Sequence, residues 1–210
     1  MIRNFVALLL LVAPGAASAD SWGPATPITA VSDSGTYRLT VYPRQIAGPL
    51  AFFSNKVDGT EPAGQREDAQ AQCEATLERL GSQSYETVWR KPLANDVAPL
   101  SALVADDGSF VTFDNWQHAG IGGDAIVIYQ ADGTIVKKLS VAEVIGDDAF
   151  KALPRSVSSV WWSGDHKLSY DDTAIELKVV TGESAHDNPT YRTVRLDLST
   201  GDLLPAETAE

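Results

Sequence analysis

From Thr36 onward, apolar and polar positions alternate with the two-residue period of half-buried strands. Tyr37, Leu39 and Val41 alternate with Thr36, Arg38, Thr40 and Tyr42; Ile175, Leu177 and Val179 with Glu176 and Lys178; and Val194, Leu196 and Leu198 with Thr193, Arg195 and Asp197. Each run predicts a strand with one face on a core. Ile126, Val127, Ile128 and Tyr129 are apolar on both faces, which predicts a central strand covered on both sides. The pattern as a whole predicts an all-β chain.

Turn residues divide these runs. Asp107-Gly108 separates Ala102–Val104 from Phe110–Phe113, and Asp132-Gly133 separates Ile126–Tyr129 from Thr134–Leu139. Asp-Gly tolerates positive φ at both central positions, so both predict tight hairpins. Helix is expected only near 140–145, where Ser140 and Glu143 have the spacing of a capping box. Gln65–Leu80 is ambiguous: Ala69, Cys73, Leu77 and Leu80 have helical spacing, while Cys73, Ala75 and Leu77 also alternate. Analogy with the flanking strands favours a strand over Ala71–Arg79 hairpinned onto Tyr85–Arg90. Asn55–Gly64, with its Gly and Pro content, is then a long exposed loop.

Three units result, about 31–93, 97–139 and 155–204, each offering three or four short strands in meander order. Ala102–Ala105, Asp106-Asp107-Gly108, Ser109–Phe113, Ala125–Tyr129, Asp132-Gly133 and Thr134–Leu139 resemble a four-stranded β-propeller blade. No Trp-Asp or kelch-type signature accompanies them. Val97–Trp116, with Asp-Asp-Gly and Thr-Phe-Asp-Asn-Trp, resembles uncharacterised exported bacterial proteins of propeller-like type. That resemblance implies a fold and a compartment, not an activity. Three blades are fewer than a closed propeller uses, so either the propeller is partial or a homodimer completes the ring; a β-sandwich is the alternative architecture.

Composition changes the picture at the N-terminus and in the charge. Arg3, the apolar run Phe5–Ala13 and the small-x-small triplet Ala17-Ser18-Ala19 predict a signal peptide over 1–19 and one β-rich domain over 20–210. The run is about half the ~20 residues a membrane span needs. Export to a periplasmic or extracellular space is therefore expected. Cleavage removes Arg3 and no acid, leaving 28 acidic against 15 basic residues and a charge of −13. Such acidity disfavours nucleic acid and anionic lipid, whose phosphates need Lys and Arg. Of the acids, 18 are Asp, and most fall in predicted turns, so much of the charge reads as turn chemistry. Cys73 is the one cysteine, with no intrachain disulfide partner, and reads as a small buried apolar residue.

Candidate chemistry concentrates in Asp114–Asp124, where acids, a histidine, a tryptophan and three glycines share one connection between apolar strands. Asp114, His118 and Asp124 could supply oxygen and nitrogen ligands to a divalent ion or carry protons. Alternatively, Asp114-Asn115 makes an Asx turn and Trp116 covers the core edge. Ala119–Val127 fits a calcium-binding nonapeptide pattern only once, whereas that pattern works through stacked copies. Gly-x-Ser-x-Gly is absent, and His166 and His186 sit in exposed turn contexts. Trp161-Trp162, read as strand residues, point to opposite faces and with Trp116 offer an aromatic binding floor. The leading expectation is a non-catalytic exported binding or interaction module for a protein or small-molecule ligand. The alternative is a metal-dependent or hydrolytic enzyme using Asp114, His118 and Asp124. The sequence identifies no cofactor.

Overall fold

The computed structural model describes residues 23–181 and 189–205. The expected signal peptide, 1–19, and His186 lie outside the described residues. Among the described residues eleven strands form three antiparallel sheets, none of which closes on itself, so the all-β expectation holds at that level. The first sheet runs β1 (Ile28–Val31), β2 (Tyr37–Tyr42), β3 (Glu74–Leu80), β4 (Tyr85–Pro92) in spatial as in chain order. The second runs β5 (Ser101–Val104), β6 (Phe110–Phe113), β7 (Ile126–Tyr129), β8 (Ile135–Leu139) in the same manner. The third has β9 (Lys167–Leu168), β10 (Ala174–Thr181) and β11 (Thr190–Asp197), with β10 in the middle.

The second sheet lies between two cores, which explains why β6 and β7 are buried at every position. Phe110, Val127 and Tyr129 pack with Leu39, Val41, Ala75 and Leu77 of the first sheet. Val111, Phe113, Ile126 and Ile128 pack with Ile175, Leu177, Val194 and Leu196 of the third. Successive side chains on a strand point to opposite faces, so neighbouring residues serve different cores. Phe110 and Tyr129 stack at 4.5 Å between ring centroids. Of the ambiguous segment Gln65–Leu80 the second half is strand: β3 starts at Glu74, three residues later than expected, and pairs with β4 in the register Leu77↔Trp89. Cys73, just before it, is buried, and burial pushes its thiol up to about 12, which makes it chemically inert.

Four local expectations are corrected. A strand, β1, precedes the Tyr37 strand and pairs with it. Asn55–Gly64 is not all loop, because α1 (Pro49–Asp58) takes in its first four residues. Pro49 starts that helix, Gly59 ends it at φ 69° with its N–H donated to Asn55 and Lys56 carbonyls, and Phe52 is its buried anchor. The capping box at Ser140 does start α2 (Val141–Ile145), but α3 (Asp147–Ala152) follows it. Asp147 and Asp148 occupy the first turn of α3, where a negative charge suits the helix dipole, rather than a loop. Trp161 and Trp162 lie outside the strands, between the isolated bridges Arg155↔Val160 and Ser163↔Val179. Among the described residues no helix is long and apolar enough to cross a membrane.

Candidate functional site

The connection from β6 to β7 carries the predicted chemistry, and its polar groups are spent on holding the connection in place. Asp114 has φ 59°, and its N–H donates to the Ala125 carbonyl at 2.6 Å. Its Oδ1 accepts the Gly120 N–H at 2.6 Å and Trp162 Nε1–H at 2.9 Å. Burial raises the carboxyl's pKa, and these two bonds oppose the rise. Asn115 Oδ1 accepts from Asn95 at 2.8 Å while its Nδ2 donates to Asp124 Oδ1, also at 2.8 Å. Asp114 thus ties the loop to Trp162, and Asp124 braces Asn115.

His118 feels the charge of Asp124, which pulls its pKa up against burial, but the two do not join Asp114 in a ligand set among the described residues. Its ring neighbours Phe52 and Phe53 of α1 at 6.3 and 6.4 Å, and its pKa is lowered by burial first and by Lys56 second. Its Nδ1 is buried and finds no hydrogen-bond partner among the described residues. No group of three His, Cys, Asp or Glu among the described residues could hold a metal ion, so Asp114, His118 and Asp124 do not make the metal set their spacing suggested. The physical reason is that structural donors already engage both acids, Gly120 N–H and Trp162 Nε1–H on Asp114 and Asn115 Nδ2–H on Asp124. Gln117, at φ 64°, is fully buried with neither amide atom partnered, a local cost that sequence patterning gave no sign of.

The aromatic floor does not assemble either. Trp116 donates its Nε1–H to the Gly23 carbonyl and packs edge-on against Phe52 at 5.7 Å. Trp162 is 2% exposed, whereas Trp161 is 40% exposed. The expected division between a core ring and a surface ring therefore holds, but Trp116 and Trp162 are both core. His166 is not an exposed turn residue: its ring lies 4.4 Å from Phe113 and 4.9 Å from Trp162.

A second constellation forms at the other end of the second sheet. The first hairpin of each sheet has the same turn: Gly35 N–H donates to Ser32 O, Gly108 to Ala105 O and Asp172 to Ser169 O, at 2.8, 3.0 and 3.0 Å. The donor residue has positive φ in each, 71°, 88° and 55°. One residue before it, Ser34, Asp107 or Asp171 accepts the backbone N–H of Thr36, Ser109 or Thr173. The turns touch one another. Ser34 N–H donates to Asp106 Oδ1 at 2.9 Å, and Asp106 N–H donates to Asp172 Oδ2 at 2.6 Å.

Between the second and third sheets the turns of those two sheets border a cavity of about 760 Å³, lined by Asp106, Asp107, Asp171, Asp172 and Asp197 with Tyr170 fully exposed beside them. No Lys or Arg lines it among the described residues. Asp172 has a raised pKa, from burial and then from the charges of Asp106, Asp33 and Asp107, outweighing the N–H it accepts. The signal was present in the sequence as Val-Ser-Asp-Ser-Gly-Thr, Val-Ala-Asp-Asp-Gly-Ser and Leu-Ser-Tyr-Asp-Asp-Thr at 31–36, 104–109 and 168–173. Compared with family models and with curated proteins, the chain matches none.

Proposed function

We propose that this chain is an exported, non-catalytic binding module of propeller-like stacked sheets whose ligand site is the acidic cleft between the second and third sheets, and that it takes a small organic polycation. One observation carries the reading: five Asp residues line a cavity of about 760 Å³, with no Lys or Arg lining it among the described residues. That volume lies within the usual range for small-molecule sites. Opposite charge in a partly enclosed cleft is focused by its low-dielectric walls. The grouping of Asp114, His118 and Asp124 that a metal-dependent reading needs is not formed among the described residues.

Spermidine tests this. Calorimetric titration at low salt is expected to show saturable binding that weakens at least about tenfold in 0.3 M NaCl, as screening shortens the reach of the charges. The double variant Asp106→Asn, Asp197→Asn should lose a similar factor. Binding that ignores both changes, or no binding, overturns the proposal.

The end faces of the stack favour a unit complete in one chain over a ring finished by a second copy. On the first sheet's outer face Arg38 pairs with Glu78 and Arg90 with Glu74, each at 2.7 Å. On the third sheet's, Lys167 pairs with Glu176 at 2.9 Å and Lys178 lies over Tyr191. Stacking another sheet there would strip water from these charges. Light scattering at micromolar concentration is expected to give a monomer mass; a dimer would restore the completed ring.

A further inference from the structure

β11 is an edge strand of the third sheet, and among the described residues only its last three positions are covered on the outer side. There the chain turns at Gly201 and runs back along the strand. Asp197 N–H donates to the Asp202 carbonyl and Leu204 N–H to the Arg195 carbonyl, both at 2.9 Å, with Leu196 opposite Leu203 between them. Backbone groups alternate sides along a strand, so Tyr191 and Thr193 also point theirs outward, and no described residue bonds them there. A groove of about 690 Å³ is lined by Leu203 and Leu204 of this returning arm, by Arg192 and Thr193 of β11, and by Val144 and Gly146. Both acids in that groove are committed, Glu143 to the Ser140 N–H and Glu176 to Lys167, while Arg192 has no ion pair among the described residues. An open strand edge of this kind is a template for another strand.

We infer that the occupant of this edge is the chain's own segment after Pro205, which extends the returning arm along β11 and closes the strand against pairing with a second copy. The arm already sets the register. Asp197 with Asp202 and Arg195 with Leu204 are hydrogen-bonded pairs, so the next such pairs are Thr193 with Ala206 and Tyr191 with Thr208. Pro205 falls opposite Val194, where its nitrogen faces away from β11 and the missing N–H breaks no bond. Glu207 falls opposite Arg192 in a non-hydrogen-bonded pair, the arrangement that brings side chains closest, and brings a carboxylate to the one uncommitted base. Each added pair lengthens a hairpin whose turn is already formed, so no new loop has to be closed. The polycation reading plays no part in this inference.

Hydrogen exchange of the full chain, read amide by amide by NMR, tests it. Tyr191, Thr193, Ala206 and Thr208 are expected to exchange at least about tenfold more slowly than in an unstructured peptide, while Glu207 and Ala209, whose N–H groups face away from β11, exchange freely. Ala206→Pro removes a donor aimed at β11 and should return Tyr191, Thr193 and Thr208 to fast exchange. Arg192 and Val194, whose N–H groups face β10, should stay slow in that variant, which shows that the sheet itself is intact. Glu207→Lys, which sets two bases opposite each other, should speed the same outward amides about threefold. Free exchange at Ala206 and Thr208 overturns the inference; if Tyr191 and Thr193 are slow all the same and light scattering gives twice the monomer mass, a second copy holds the edge instead. Slow exchange at 206–209 without the alternation overturns the register, and with it the pairing of Glu207 with Arg192.

Discussion

Replacing Trp162 with alanine is expected to cost about 4 kcal/mol of unfolding free energy, near the top of the range for a buried aromatic. The ring is 2% exposed and belongs to the core shared by Phe113, Ile126 and Leu177, so its loss leaves a cavity between the second and third sheets. The substitution also takes away the Trp162 donor to Asp114 Oδ1 and leaves the Gly120 N–H, on a carboxylate that burial already disfavours. Trp162→Phe separates the two losses, because it keeps most of the ring volume and removes the donor; about 1–2 kcal/mol is expected for it. Urea unfolding measures both. In addition, amides of 115–124 should exchange faster in Trp162→Phe, since Asp114 holds the loop through Gly120 as well as Trp162. Equal stability of Trp162→Phe and the parent, with unchanged exchange, would show that the Asp114 bond contributes nothing.

The parts of this fold that were legible in the sequence are those set by local backbone chemistry and by alternation. Ile126–Tyr129, apolar at each position, reads directly as a strand between two cores, and Asp107-Gly108 and Asp132-Gly133 read as the hairpins they are. Ser140 and Glu143 read as a helix start. α1 was hidden because its pattern is not amphipathic toward one core: Phe52 alone is buried, while Leu50 and Val57 are 85% and 87% exposed. No periodicity distinguishes such a helix from a loop. The proposed cleft was hidden for a different reason. Residues close in sequence, such as Asp114, His118 and Asp124, invite a constellation, yet near neighbours in a tight connection satisfy one another first. Asp106, Asp172 and Ser34 are far apart in the chain, and only the stacking of three hairpins brings them together. Their common turn is carried in the sequence only as a loose six-residue repeat at 31–36, 104–109 and 168–173.

Acid should weaken this protein well above the pH at which carboxylates titrate, and His166 is the reason. Its ring lies against Phe113 and Trp162, its Nδ1 is buried without a hydrogen-bond partner, and burial pushes its pKa down to about 4 against the weaker opposing pull of Asp165. A histidine with a lowered folded-state pKa is neutral in the fold and protonates more readily when unfolded. Its contribution is therefore complete above about pH 6.5 and drains away as pH falls toward about 4, a loss of roughly 2–3 kcal/mol. His118, also lowered by burial, adds to the same limb, while Asp114 and Asp172, both raised, oppose it closer to the carboxylate range. The isolating variant is His166→Phe, which keeps an aromatic ring beside Phe113 and Trp162 and has nothing to titrate. Urea unfolding at pH 7.5 and 5.0 should show the parent losing about 1–2 kcal/mol across that interval and the variant losing much less. If the two lose the same amount, the acid sensitivity lies elsewhere and the buried imidazole is not its source.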